Sequence, residues 1–455
     1  LLLVILLLVR EVAAQHMPTG REMVDSNSLL QAFKRGTVTG HFRHFLMTTD
    51  NAAGLSDYYA AAIGGGIHYQ TQAFHHLRLG LSGYFIYNLF SSDLGRPDPQ
   101  TGAYNRYEIG LFDITDPYNK HHIDRLEELY LNYQRDGNTI TFGKQLIQTP
   151  FINPQDSRMR PTAAEGLYVS RQMQHVRMEA AWIYRIAPRG TVEWYRTGNS
   201  IGLYPQGVNV HGAAGNYQHH LRSAGIGLAG LHWQPDSSVH VQAWEQYADR
   251  LFNTVLIQAQ KRWSVNAGVQ WLLAVQYIRQ DRLRDGGNAD PQLTYFPDQK
   301  PVHVMGIRAG WQYRQLQWMV NYTRITAGGR FTMPREWGTE PLFTYLSRER
   351  NEGYGDVNAI NTVLKADFKQ AHLKTEIGYG HYYMPDVQNY ALSKYGVPSY
   401  RHLKIYTDYS FQHLWKGLDV GLLFIYKGSL HRTDLRTAIN KVNMTSYNLI
   451  MNFRF

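Results

Sequence analysis

The stretch that decides the fold is Tyr447-Asn448-Leu449-Ile450-Met451-Asn452-Phe453-Arg454-Phe455. Large apolar side chains take every second position: Tyr447, Leu449, Met451, Phe453 and Phe455. Asn448, Asn452 and Arg454 fall between them. A strand sends alternate residues to opposite faces. One face of this segment is therefore fit for lipid and the other for water.

The same alternation recurs upstream. Leu77, Leu79, Leu81, Phe85, Tyr87 and Leu89 share a face, as do Met305, Ile307, Ala309, Trp311 and Tyr313. Leu316-Trp318-Val320-Tyr322, Leu403-Ile405-Thr407-Tyr409 and Leu418-Val420-Leu422-Phe424 repeat it. Segments of roughly 9–14 residues suit tilted membrane strands. In lipid every backbone group needs a partner, so such a sheet must close on itself. The fold class expected is all-β: a transmembrane antiparallel up-and-down barrel of about 18 strands.

The segments fall near 36–49, 57–71, 74–90, 124–134, 138–145, 166–171, 175–187, 217–233, 238–249, 251–260, 265–280, 302–314, 316–326, 360–369, 372–383, 401–412, 418–428 and 443–455. Such barrels alternate short turns at one end with longer loops at the other. Arg135-Asp136-Gly137, Gln172-Met173-Gln174, Lys261–Ser264 and Gln370-Ala371 are among the short links, and all fall on one side. The links 91–123, 146–165, 188–216, 281–301, 327–359, 384–400 and 429–442 fall on the other. A terminal strand ending in Phe455 resembles the signal read by the barrel-assembly machinery of bacterial outer membranes.

Composition agrees. Among 455 residues there are 32 Tyr, 18 Phe and 10 Trp, and no Cys. Tyr and Trp suit membrane–water interfaces, since each ring carries a polar handle. Leu1–Val9 is a purely aliphatic run, too short to span a bilayer as a helix, which needs ~20 residues. It reads as the h-region of a secretory signal peptide. The expected organisation is a signal peptide at 1–14, a short polar leader at 15–35 and one barrel domain at 36–455.

The formal net charge is +10. In an exported barrel this points either to a basic lumen that attracts anions or simply to basic loops, and not to nucleic acid. Alternation turns Arg43, Arg78, Arg177, Arg185, Arg308, Lys365, Lys374 and Lys404 inward, as a candidate basic track. The inward acids are Glu128, Glu179, Asp367, Glu376, Asp408 and Asp419. Lys365 and Asp367 lie on a strand next to Lys374 and Glu376, where cross-strand pairing is expected.

Leu146 to Glu165 reads LIQTPFINPQDSRMRPTAAE. Pro150, Pro154 and Pro161 forbid regular pairing. Phe151, Ile152 and Met159 would gain by folding into the barrel, or else lie over its rim. Folding inward would carry Asp156, Arg158 and Arg160 into the channel.

Thr149-Pro150, Asp156, Arg158, Pro161 and Gly166 resemble, in spacing, the constriction-loop motif of OprD-type outer-membrane porins. The hairpin from Leu126 to Gln145 is similar to that family's as well. The resemblance covers Leu126 to about Ile186. It implies an 18-stranded, substrate-selective porin for passive diffusion of small solutes, often carboxylate-bearing. It also implies that Asp156, Arg158 and Arg160 line the constriction. Arg160 and the Ala163-Ala164 pair depart from the family's usual residues.

Other readings remain at this point. The loop 327–359 carries Trp337, Phe343 and Tyr345, and could bind a partner or fold into the mouth. A barrel subunit of a larger surface assembly or an adhesin is thus one alternative, and an outer-membrane barrel hydrolase another. For the last, no Gly-x-Ser-x-Gly motif appears and no catalytic residue can be assigned. The pairs His75-His76, His121-His122 and His219-His220 point to opposite faces, so no metal is expected, and no cofactor. The expected partners are outer-membrane lipid and lipopolysaccharide, the barrel-assembly machinery, small solutes, and either a homotrimer mate or a partner protein.

Overall fold

The computed structural model describes residues 25–155, 158–266, 268–348, 350–412 and 415–455. The signal peptide expected at 1–14, and the leader as far as residue 24, lie outside the described residues. So does Asp156. The chain forms a closed antiparallel barrel of 18 strands. These are β1 (Thr37–Asp50), β2 (Tyr58–Gln70), β3 (Leu77–Ser91), β4 (Arg125–Arg135), β5 (Asn138–Gln145) and β6 (Ala163–Gln172). There follow β7 (Val176–Ala187), β8 (Ile226–Trp233), β9 (Val239–Ala248), β10 (Phe252–Asn266), β11 (Val269–Arg282) and β12 (Val302–Tyr313). The last six are β13 (Leu316–Ile325), β14 (Val357–Phe368), β15 (Leu373–Tyr383), β16 (Tyr400–Ser410), β17 (Leu418–Ser429) and β18 (Met444–Arg454). A further two-residue strand, Tyr195–Arg196, pairs with Arg185 and Ile186 at the top of β7, where β8 has not yet begun.

Each strand pairs with its sequence neighbour, and β18 pairs with β1 from His41↔Arg454 to Asp50↔Thr445. Closure leaves no edge strand, which lipid would not tolerate. At the seam, Gly40 and Phe455 exchange backbone hydrogen bonds of 2.8 and 3.0 Å. The Phe455 ring covers Gly40, where a Cβ would run into it, and stacks on Phe42 at 5.8 Å. The alternation of Tyr447–Phe455 is kept: Asn452 sits opposite Arg43 on the inner face and Phe453 opposite Phe42 on the outer. Leu81, Phe85, Tyr87, Met305, Ile307, Leu422 and Tyr447 stay exposed on the outer wall, the surface that lipid would cover.

Two boundaries differ most from the sequence reading. The eighth strand starts at Ile226 rather than near 217, because Tyr217 and Leu221 are buried in a loop core. Their apolar spacing reflects packing in a loop, not a strand face. The turn expected at Lys261–Ser264 lies within β10 instead, and the chain reverses next to Gly268, at φ +99°. In contrast, Asp136 and Gly137 turn β4 into β5 with both φ positive, 48° and 76°, as a two-residue hairpin requires.

A short helix, α1 (Leu29–Lys34), precedes the barrel and is capped by the Ser28 hydroxyl. It rests on the β2–β3 turn: the Gln72 amide donates to the Ala32 carbonyl at 3.0 Å, and the Tyr69 hydroxyl to Phe33 at 2.7 Å. No helix among the described residues is long and apolar enough to cross a membrane.

The buried core lies inside the barrel, toward the end that carries the long loops. One cluster joins Phe151, Ile152, Trp337 and Tyr354 from loops to Ile183, Leu228, Ile278 and Val304 from the wall. A second joins Ile109, Leu111, Phe112 and Met159 to Phe45, Met47 and Ile86.

Candidate functional site

Four of the long links build a cavity in the lumen: 92–124, 146–162, 188–225 and 326–356. The sequence brings them inward by its apolar content. Phe151, Ile152 and Met159 are buried, and so are Phe331, Met333, Trp337, Phe343 and Leu346. Gly64 on β2 leaves room for Met159, whose Cε lies 3.1 Å from where a Cβ would stand.

Polar contacts then lock the loops together. The Asn153 amide donates to the Trp337 carbonyl at 3.2 Å, and the Thr339 amide to Asn153 Oδ1 at 2.9 Å. Trp337 Nε1 donates to Ser200 Oγ at 2.8 Å. Glu336 accepts from the amides of Gly202 and Tyr204 at 2.9 and 3.0 Å. Two wall arginines tie loops to the barrel. Arg43 donates to Asn452 Oδ1 at 2.6 Å and to the Arg158 carbonyl at 2.5 Å. Arg308 donates to Asn321 at 2.6 Å and to the Phe343 carbonyl at 3.2 Å, over the Phe343 ring.

The cavity so enclosed measures about 370 Å³. Seven cations line it: Arg106, Arg158, Arg189, Arg335, Arg348, Arg350 and Lys404. Glu376 is the acid on its lining among the described residues. Tyr107, Tyr204, Tyr345 and Tyr406, with Gln155 and Ser347, complete its polar wall. Burial and the nearby charges of Arg348 and Arg189 push the Arg158 pKa well below its ordinary value. Burial likewise brings Arg348 down to about 10. A guanidinium stays protonated at neutral pH, so these shifts measure chiefly how costly it is to bury the charge, with neighbouring arginines adding to it at Arg158. Burial pushes Glu340, behind this wall, up to about 7. Glu352 is held below the ordinary carboxylate value, because Arg335 and Lys394 outweigh its burial.

The sequence-derived residues are dispersed. Arg158 lines the cavity. Arg160 does not: it is 0% exposed and donates to the carbonyls of Ile123 and Thr191 at 3.2 and 2.7 Å, 3.7 Å from Glu127. It staples loops and presents no charge to the lumen. Arg185 also departs from expectation. A bulge pairs Glu165 with Arg185 but Gly166 with Ile183, which leaves Tyr184 unpaired. One extra residue reverses the facing of everything beyond it. Ile186 therefore turns into the core, and Arg185 turns away, 3.6 Å from Glu165.

Arg177 pairs with Glu179 at 3.1 Å. Lys365 and Lys404 share Glu376, at 3.4 and 2.7 Å. Lys374 sits opposite Asp367 on one side and Asp408 on the other. Arg78 stands one residue into β3, at the end of the barrel that carries the short turns, and is absent from the cavity lining. Alternation missed Arg106, Arg189, Arg335, Arg348 and Arg350, because all five stand in loops, where a period of two says nothing. The usable signal was arginine beside core-type side chains in long links, as in Leu346-Ser347-Arg348. No group of three or more His, Asp or Glu that could hold a metal ion occurs among the described residues.

Residues 134–326 match the family model described as outer membrane porin, OprD family. Solved structures share the fold. Pseudomonas aeruginosa OccD3 (OpdP) superposes with a TM-score of 0.69 at 10% identity, covering 96% of this chain and 95% of that one. Acinetobacter baumannii OccAB4 gives 0.71 at 14% identity, covering 92% and 98%. Pseudomonas aeruginosa OpdK, solved with vanillate, gives 0.69 at 11% identity, covering 93% and 99%. No curated protein matches the chain.

Proposed function

We propose that the chain is an outer-membrane porin of the OprD type, the family whose model matches residues 134–326, and that it passes small anionic, carboxylate-bearing solutes selectively and by passive diffusion. The observation that carries this reading is the set of seven cations around the 370 Å³ cavity where the inward loops meet. A channel selects by width and by the charge that lines its narrowest part. In this reading the 146–162 and 326–356 loops set the width, and Arg158, Arg189, Arg348 and Arg350 set the sign. Guanidinium forks match the two oxygens of a carboxylate.

The rival reading as an adhesin or assembly subunit drew on the aromatic loop around Trp337. That loop is folded inward, with Trp337 and Phe343 buried and Tyr345 on the cavity wall. Solute diffusion is the better account.

Zero-current potentials of the purified barrel in planar bilayers, under a KCl gradient, test the proposal. The native channel is expected to prefer anions. Arg158→Ala with Arg189→Ala should lower that preference by roughly twofold to tenfold, since two charges leave a poorly screened site. An unchanged ratio, or a native channel that prefers cations, would count against it.

A further inference from the structure

The cavity carries more positive charge than a single carboxylate can answer. Lys365 joins the seven lining cations through Glu376, which it shares with Lys404. Carboxylates answer part of this charge. Glu376 lies between the two lysines, and Glu352 is paired with Arg335. Glu108 stands within electrostatic reach of Arg158 and Arg348, and Glu340 within reach of Arg350. Glu108 is also engaged by Thr49 and Asn105, and Glu340 by the amides of Asn351 and Glu352. On the lining itself seven cations stand against one acid among the described residues.

The lining cations stand in two groups. On one side Arg106 and Arg348 flank the Tyr107 ring, at 5.5 and 5.3 Å from its centre. Arg158 stands nearby at Gly110. On the other side Arg335 lies over Tyr395 at 3.8 Å, and Arg350 is held by the Gly338 carbonyl at 2.9 Å. Arg348 is the least satisfied of the set. Its Nη2 donates to Asn448 Oδ1 at 2.5 Å, but its buried Nε and Nη1 have no hydrogen-bond partner among the described residues. Buried donors on a charged group are costly to leave unmade. An arginine held this way gains most when an anion arrives.

We propose that the solute carries at least two anionic groups, as a polycarboxylate or a phosphorylated small molecule does, and that Arg348 binds one of them while the Arg335–Arg350 side takes another. This rests on the channel reading above and narrows its substrate class.

The test compares block of single-channel current by acetate, citrate and glycerol 3-phosphate, at matched ionic strength, in the native channel and in Arg348→Gln. Citrate or glycerol 3-phosphate should block the native channel at concentrations at least about tenfold below acetate, the worth of one further charge-assisted contact. The stronger of the two says whether carboxylate or phosphate is preferred. Arg348→Gln should weaken the multivalent blocker about tenfold and acetate by less than about twofold. Equal block by acetate and citrate, in a channel that still prefers chloride to potassium, overturns the multivalent proposal and leaves the channel reading standing. A native channel without anion preference overturns both. The native comparison decides the matter even if the variant does not fold.

Discussion

Arg158 and Arg160 are two residues apart in one proline-broken loop, and they do opposite things. Arg158 faces the cavity, while Arg160 spends its donors on Ile123 and Thr191 and sits against Glu127, which Arg125 also holds. Nothing within the segment 146–165 separates them. The partners that decide belong to two other links, and a linear reading cannot see which carbonyls those links deliver. The consequence is measurable. Arg160→Met removes two buried hydrogen bonds from a charged donor, while Glu127 keeps Arg125, and should cost about 1.5–3 kcal/mol, read as a lower temperature for the loss of heat-resistant mobility on gels. Its zero-current potential should move less than that of Arg158→Ala. If Arg160→Met shifts selectivity as strongly, the loop is seated differently. Arg185 teaches a related lesson: one unpaired residue, Tyr184, turns a lumen assignment into an outward one.

Strands and loops differ in how legible they are. The 18 strands could be read because lipid on one side and water on the other impose a period of two, and closure imposes an alternation of turn lengths. Arg135-Asp136-Gly137 and Tyr447–Phe455 were transparent for that reason. The 326–356 loop has no period, and its fold rests on single contacts such as Glu340 with the amides of Asn351 and Glu352. Glu340 titrates near 7 when buried and near the ordinary 4.5 when the loop is released. The seated loop therefore holds a proton that the released loop gives up. Stability from this source is present below about pH 4.5 and is lost as pH rises through 7. Asp298, raised by burial to about 6 beside the Arg330 amide, acts in the same direction. Hydrogen exchange in residues 326–356, corrected for intrinsic rates, should be faster relative to the wall at pH 8 than at pH 5. Glu340→Gln should flatten that difference, and a variant as pH-sensitive as the native protein would sink the assignment.

The whole molecule is two structures in one: a hydrogen-bonded cylinder that needs no loop to stay closed, and a packed interior that narrows it. Trp337 joins them. It is fully buried, bonded to Ser200, accepts from Asn153, and lies 6.1 Å from the Phe252 ring of the wall. Trp337→Ala should cost the interior about 3–5 kcal/mol while the cylinder survives. Single-channel conductance should rise and anion preference fall. A smaller or unchanged conductance would mean that the interior is held elsewhere.

The seam of Gly40 and Phe455 and the bonds between loops also order events in time. Arg43 meets Arg158 across 115 residues, Trp337 meets Ser200 across 137, and Asn51 meets Asn440 across 389. Such contacts cost more loop-closure entropy unless the paired strands have already brought the loop ends together. We expect assembly to pass through a hollow stage, in which the cylinder is complete and the filter is not. A molecule stalled there is no inert intermediate but an open leak in the envelope. The speed with which the loops fall inward becomes a matter of cell integrity as well as of transport.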